Sequence, residues 1–383
     1  MPHVLCQRYM RGSNDNRRLT YGDLRLGQLL PWDVSGDNGS LLVRKGYVPT
    51  SDSQLDALVA RGFIDDPDFR EHGSAAVEHP SVVRLLNEAL AALAPLLRRI
   101  ADGDGAVQAE LAHVAALVSQ AVDVNAEVAV AAILHNQKSA PYSVRHPVDT
   151  AVIAAILARA VKRPPAEIAS MVLAALTMNV GMLDVQDERV TLTDAERAIV
   201  KAHPAHGVAL LRRAGVLDDV WLSCVLGHHE NQDGSGYPHG LAGDAIVCPV
   251  KLIALADRYC ARIANRPWRK PMLPNAALRD ILLEANHALD AQLGAVLIRE
   301  LGIYPVGTFV RLLNGEIGVV ARKGVQSMTP HVTTFIGPRG ARLDVFLQRD
   351  TRGDLSAIRD VLAAAQVDAA FRMDQVWGRE ALP

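Results

Sequence analysis

The sequence is short of cysteine and aromatic residues and has no charge excess of either sign. Four cysteines stand among 383 residues (Cys6, Cys224, Cys248 and Cys260), widely scattered and with no CxxC pair. That argues against a disulfide framework and against a cysteine-built structural zinc site. Forty Lys and Arg face 42 Asp and Glu, a formal charge of −2. The basic excess of a surface that coats nucleic acid is missing, so no polynucleotide partner is expected, although a local basic pocket is not excluded. No run reaches about 18 uninterrupted apolar residues; even Val148 to Val161 carries Asp149 and Arg159. The first twenty residues are polar and Arg-rich, with no apolar core of a secretory signal. A cytoplasmic protein without membrane association is the expectation.

What is present is a globular composition, 49% hydrophobic and 21% charged, long enough for two or three domains. Residues 1–80 read as a small α+β domain. Two short apolar runs flank Ser35-Gly36-Asp37-Asn38-Gly39 as in a hairpin, and Thr50 or Ser51 opens a helix ending near Arg61-Gly62. Nothing in these residues states a function, and the polar stretch from Asp65 to Pro80 reads as a linker. Residues 81–106 form a helical connector, with Val83, Leu86, Leu90, Leu93, Leu97 and Ile100 spaced three and four apart.

Helical patterns continue from 107 to 302, with a break between Val124 and Ala126. From 303 to 383 the pattern changes. Thr308–Leu312 and Ile317–Val320 alternate around Asn314-Gly315, a hairpin signal, and a last helix is expected over Asp354–Ala370. The fold class is mainly α, with a small amino-terminal α+β domain and a carboxy-terminal β-hairpin and helical extension.

The most specific string is His228-His229-Glu230-Asn231-Gln232-Asp233-Gly234-Ser235-Gly236-Tyr237-Pro238. Adjacent histidines on a helix point about 100° apart. They suit two neighbouring ions, or one ligand and one supporting group, better than one ion. Gly-Ser-Gly permits a tight turn and Tyr-Pro stiffens its exit. His146, His203 and Asp257 lie on other expected helices. Singly each reads as an ordinary core or capping residue. Together with His228 and His229 they give four imidazoles and a carboxylate on separate helices, the way bundles build metal sites. Arg258, Arg262, Arg266, Arg269 and Lys270 form a basic stripe, either a solvated face or a phosphate-facing pocket.

Over roughly residues 107 to 320 the chain resembles the HD-GYP family, helical metal-dependent phosphodiesterases that hydrolyse cyclic di-GMP. The resemblance rests on the loop string, on Asp257-Arg258-Tyr259, on Arg266-Pro267-Trp268-Arg269 and on Tyr304-Pro305-Val306-Gly307. It implies an HD-type helical bundle over 107–302. It further implies that His146, His203, His228, His229 and Asp257 ligate a divalent metal, Fe or Mn, mono- or binuclear. Tyr237, Arg266 and Arg269 would then meet the cyclic dinucleotide.

The defining His-Asp pair and following lysine of that family are absent. Met178, Asn179 and Met182 stand in their places. A thioether is a soft ligand ill matched to Fe, Mn or Mg, and a neutral amide offers one carbonyl oxygen where a carboxylate offers two charged ones. Asp184 and Asp187 are nearby substitutes to consider, and His206 shares a helix with His203. The resemblance therefore implies a degenerate protein that binds cyclic di-GMP or a related nucleotide. A signalling partner, such as a GGDEF-domain protein, could meet it through the loop, and a homodimer is conceivable. The alternatives are an active phosphodiesterase releasing pGpG or GMP, and a purely structural bundle.

Overall fold

The computed structural model describes residues 16–20, 23–24, 27–65, 80–105, 107–186, 193–266, 269–284, 287–367 and 371–383. The chain divides into two compact units, 1–79 and 80–383. The linker expected over 65–80 falls almost wholly outside the described residues.

In the first unit, β1 (Asn16–Arg18), β2 (Val34–Ser35), β3 (Leu41–Val43) and β4 (Phe63–Asp65) form an antiparallel sheet in the order β1-β4-β2-β3. β2 and β3 are the hairpin read from the sequence, closed at Gly39 with φ of +76°. Helix α1 (Asp52–Arg61) starts where Ser51 accepts a hydrogen bond from the Gln54 N–H, capping one of the free donors of the first turn. Leu30, Val34, Leu58, Val59 and Ile64 make its core.

The second unit begins with α2 (Val82–Ala101), whose apolar stripe is buried at each position the spacing marks. It packs along α3 (Gln108–His135) and contributes to the main core. The break expected after Val124 is real. Asn125 leaves helical geometry (φ −161°, ψ 105°), and its side-chain oxygen caps the second half by accepting from the Glu127 and Val128 N–H groups. Then follow α4 (Tyr142–Ala160), α5 (Pro165–Thr177), a 3₁₀ turn over Val180–Val185, α6 (Asp194–Arg213), α7 (Asp219–Gly227), α8 (Cys248–Ile263), α9 (Pro274–Glu284) and α10 (Ala291–Leu301). α5 opens on Pro165, α6 on a Thr193/Glu196 capping box and α7 on Asp218. By length and composition alone, two stretches could cross a membrane, Gln108–His135 and Pro165–Val185. Here their apolar surface packs against neighbouring helices.

The carboxy-terminal part holds more strand than a hairpin. β5 (Phe309–Leu312), β6 (Ile317–Arg322), β7 (His331–Ile336), β8 (Arg342–Asp350) and β9 (Ile358–Leu362) form an antiparallel sheet in the order β8-β7-β6-β5-β9. The β5–β6 turn is Asn314-Gly315. The helix expected over 354–370 is replaced by β9 between two 3₁₀ turns, with residues 368–370 outside the described set. β5 would otherwise present an open edge, and β9 satisfies it, pairing Val310 with Val361. That pairing overrides the alanine-rich helical propensity. After a short α11 (Asp374–Trp377), the chain end is tied back by the Trp377 indole N–H donating to Ala321 O at 2.8 Å. The sheet shares the bundle's core. His135 at the end of α3 hydrogen-bonds Gly307 O at 2.8 Å and meets Phe309 and Phe371 edge-on.

Candidate metal and nucleotide site

Four helices bring the histidines and the carboxylate together. His146 lies in the first turns of α4, His203 in the middle of α6, His228 and His229 at the end of α7, and Asp257 in α8. His203 and His228 are essentially inaccessible, and His146 and Asp257 nearly so. One ligand atom from each of His203, His228 and His229 lies within 4.8 Å of the others. The adjacent histidines do not diverge as an intact helix would force them to. α7 ends at Gly227, and the His228 and His229 rings come to 4.1 Å between centroids. Both rings turn toward His203 rather than splaying by the helical period.

Hydrogen bonding selects the tautomers. His203 donates through Nδ1 to Val200 O at 2.6 Å, and His228 through Nδ1 to Val225 O at 2.8 Å. In neutral rings this leaves both Nε2 atoms as bare acceptors, and they face each other at 3.1 Å. Burial keeps the rings neutral, holding His203 at about 4 and His228 well below the usual histidine range. Burial also lowers His229, partly offset by Asp257. Two opposed lone pairs repel unless a cation lies between them. Their separation is short enough that one divalent ion could be held by both nitrogens. Backbone carbonyls on the far nitrogens are the usual way such ligands are oriented. The donor set therefore fits one divalent ion held by His203, His228 and His229.

His146 and Asp257 form a buried pair at 2.7 Å. Burial pushes the Asp257 carboxyl up, but the His146 hydrogen bond and nearby imidazoles outweigh it and hold it below the carboxylate range. His146 Nδ1 is buried with no hydrogen-bond partner. On the outer side, the His146 ring stacks on Tyr142 at 4.9 Å, and Arg266 lies over Tyr142 at 4.1 Å while donating to its hydroxyl. A continuous stack thus runs from Arg266 through Tyr142 and His146 to Asp257. Arg269 donates to Ala261 O and is exposed.

The loop after the histidines is held by identifiable contacts. Glu230, buried, accepts the N–H groups of His239 and Leu241 at 2.7 and 2.9 Å, clamping the loop exit. Tyr237 donates its N–H to His229 O at 3.1 Å and stacks on the His229 ring at 4.8 Å. The Tyr237–Pro238 bond is cis. A Cβ on Gly236 would fall 2.5 Å from His229 O, so only glycine fits there.

The positions of the missing pair are buried. Met178 closes α5, and Asn179 follows, its Oδ1 buried without a partner. Two residues on, Gly181 lies against α6. A Cβ there would come 2.3 Å from His203 O, so the segment runs along the helix that carries His203. A neutral carbonyl oxygen does not fit the part of a metal-bridging carboxylate. Asp184 does not replace it, because that side chain is 80% exposed and paired with Arg98. Asp187 lies outside the described residues. His206 is exposed and meets Gly181 O at 3.0 Å.

Sequence reasoning passed over Tyr142, Glu230 and Asn231 as contributors. Tyr142 stands four residues before His146, a spacing that places both on one helix face and could have been noticed. The parts of Glu230 and Asn231 depend on how the loop folds back.

Residues 109–293 match an HD domain family. The helical unit thus carries an HD-type fold. Among curated relatives, the cyclic di-GMP phosphodiesterase PA4108 of Pseudomonas aeruginosa is 32% identical over 216 residues, 55% of this chain and 52% of that protein. The 3'3'-cGAMP-specific phosphodiesterase 3 of Vibrio cholerae is 32% identical over 170 residues, 43% of this chain and 36% of that protein. The response regulator RpfG of Xanthomonas campestris, a cyclic di-GMP phosphodiesterase, is 34% identical over 109 residues, 28% of this chain and 29% of that protein. The chain spans about half or less of the length of these relatives. Over this helical region the chain is similar to phosphodiesterases of the HD-GYP type.

Proposed function

We propose that this chain binds cyclic di-GMP or a closely related cyclic dinucleotide, and that its hydrolytic capacity is weakened or abolished at Met178 and Asn179. The observation that carries the reading is the bare, buried amide oxygen of Asn179 in place of a carboxylate, two residues before the glycine that packs on His203 O, together with an assembled histidine cluster. In this reading His203, His228 and His229 hold one divalent ion, and Asp257 with His146 supplies buried charge next to it. When bound, such an ion polarises a phosphoryl oxygen and lowers the pKa of a bound water. Tyr237 offers a ring face to a base, and Arg266, held over Tyr142, offers its guanidinium to a phosphate. Arg269 adds a cation at the same rim. With hydrolysis weakened, the loop from Glu230 to Leu241 would serve as a receptor surface or dock a signalling protein.

The test is an anaerobic assay of protein loaded separately with Fe(II) and Mn(II), with products separated by chromatography and an active family member alongside. Absence of pGpG and GMP, with micromolar or tighter nucleotide binding by calorimetry, is the expected outcome. Turnover that disappears in Asp257→Ala would overturn the degenerate reading in favour of an active phosphodiesterase. The convergent Nε2 atoms of His203 and His228 give that second reading its support.

A further inference from the structure

Next to Asp257 on α8 stands Arg258, a guanidinium with no carboxylate partner among the described residues. One of its amino groups donates to Asn231 Oδ1, while the other, NH1, is buried and has no hydrogen-bond partner among the described residues. A buried donor left bare is costly, so such an atom marks a missing acceptor. The neighbouring carboxylates are already engaged. Glu284 takes Arg262, Asp257 takes His146, and Asp233 accepts from both the N–H and the hydroxyl of Ser235. The group that holds Arg258 is itself braced, because Asn231 donates to Ser235 Oγ at 2.8 Å. The guanidinium is thus held in one orientation beside the loop of Tyr237, with half of its fork unused.

We propose that Arg258 is a phosphate-binding residue of this site, its NH1 donating to an oxygen of a ligand phosphate while Asn231 fixes the rest of the fork. The inference rests on the nucleotide-binding reading for the ligand's identity, but the anion site stands on its own geometry. A phosphate fits better than a neutral acceptor, because the planar guanidinium matches its oxygens and its attraction is strengthened where water is excluded. Arg258 thereby adds a second cation to the one that Arg266 provides on the Tyr142 side.

The experiment uses the whole 383-residue chain stripped of metal, so that no ion can bind phosphate. Inorganic phosphate is titrated against chloride of equal ionic strength and followed by ³¹P line broadening, and cyclic di-GMP binding is measured by calorimetry. Arg258→Gln keeps a side chain able to reach Asn231 and loses the fork. The expected result is phosphate broadening in the parent protein that vanishes in Arg258→Gln, with at least tenfold weaker cyclic di-GMP binding and an unchanged melting temperature. Arg258→Lys, a point charge without the fork, should fall between the two, and it decides the matter if the glutamine variant does not fold. Phosphate broadening that is absent from the parent, or equal in parent and variants, overturns the proposal. Phosphate binding lost in the variant, with no cyclic di-GMP binding by the parent, leaves Arg258 as an anion site and refutes the nucleotide reading instead.

Discussion

His203 and His228 face each other through bare Nε2 atoms 3.1 Å apart, each ring anchored by its Nδ1–H to the carbonyl three residues earlier in its own helix. Neither nitrogen can donate to the other while both rings are neutral, and burial keeps them so. Opposed lone pairs at that distance are costly without a cation between them.

One divalent ion per chain should therefore bind, and His203→Ala or His228→Ala should lower the metal content by tenfold or more. Metal analysis after dialysis measures this directly, and the melting temperature of the parent, but not of the variants, should rise on adding Mn(II). Equal metal in parent and variants would show that the histidines are core residues only.

Restoring the absent groups should restore the binuclear centre. The triple change Met178→His, Asn179→Asp and Met182→Lys is expected to raise metal content from one toward two per chain and hydrolysis by at least about tenfold. Both are read on the same preparation. No gain in either would mean that the backbone around Asn179 no longer presents these positions to the metal.

Tyr142 should act on nucleotide binding without touching the metal. It carries Arg266 over its ring and braces His146 from the other side. Tyr142→Leu removes the stack, an interaction worth about 0.5–2 kcal/mol when partly desolvated, so affinity should fall about 3- to 30-fold. Tyr142→Phe, which keeps the ring, should recover most of it. If both variants bind like the parent, Arg266 is not held by this stack.

Gly181→Ala should destabilise the site through its backbone. The added methyl would press on His203 O at 2.3 Å. The expected cost is about 1–3 kcal/mol in chemical denaturation, together with weaker metal binding, because His203 must move. A variant as stable as the parent would show that the 3₁₀ turn can shift away from α6.

Acid should weaken the metal-free fold. Burial holds His135 at about 4, although its hydrogen bond to Gly307 opposes the shift. A histidine lowered in the folded state takes up its proton on unfolding. Its contribution is intact above about pH 6.5 and is lost as the pH falls from there toward 4. For His135 this costs about 1.5 kcal/mol between pH 6.5 and 5, and His203 and His228 act in the same direction. Urea unfolding at pH 7, 6 and 5 should show this decline. His135→Gln, which keeps a donor for Gly307, should show a shallower one. Identical slopes would place His135 outside the effect.

Much of the helical structure was legible because its signals are local. The stripe on α2, the cap at Ser51 and the break at Asn125 each depend on residues within a turn or two of one another. The strand β9 was not legible, because the open edge of β5 that selects it is contributed by residues about fifty positions earlier. The five ligand-type residues could be picked out by their types and by the family string. Their geometry could not.

Residue types and helical periodicity determined a mainly helical fold and the tight glycine loop, and the resemblance to the HD-GYP pattern marked Met178 and Asn179 as departures from it. Only the tertiary structure decided that His228 and His229 turn the same way, because α7 stops before them. It alone joined Arg266, Tyr142, His146 and Asp257, and left one nitrogen of Arg258 bare. Such contacts depend on where separate helices end and how they pack, and no short-range pattern along the chain encodes them.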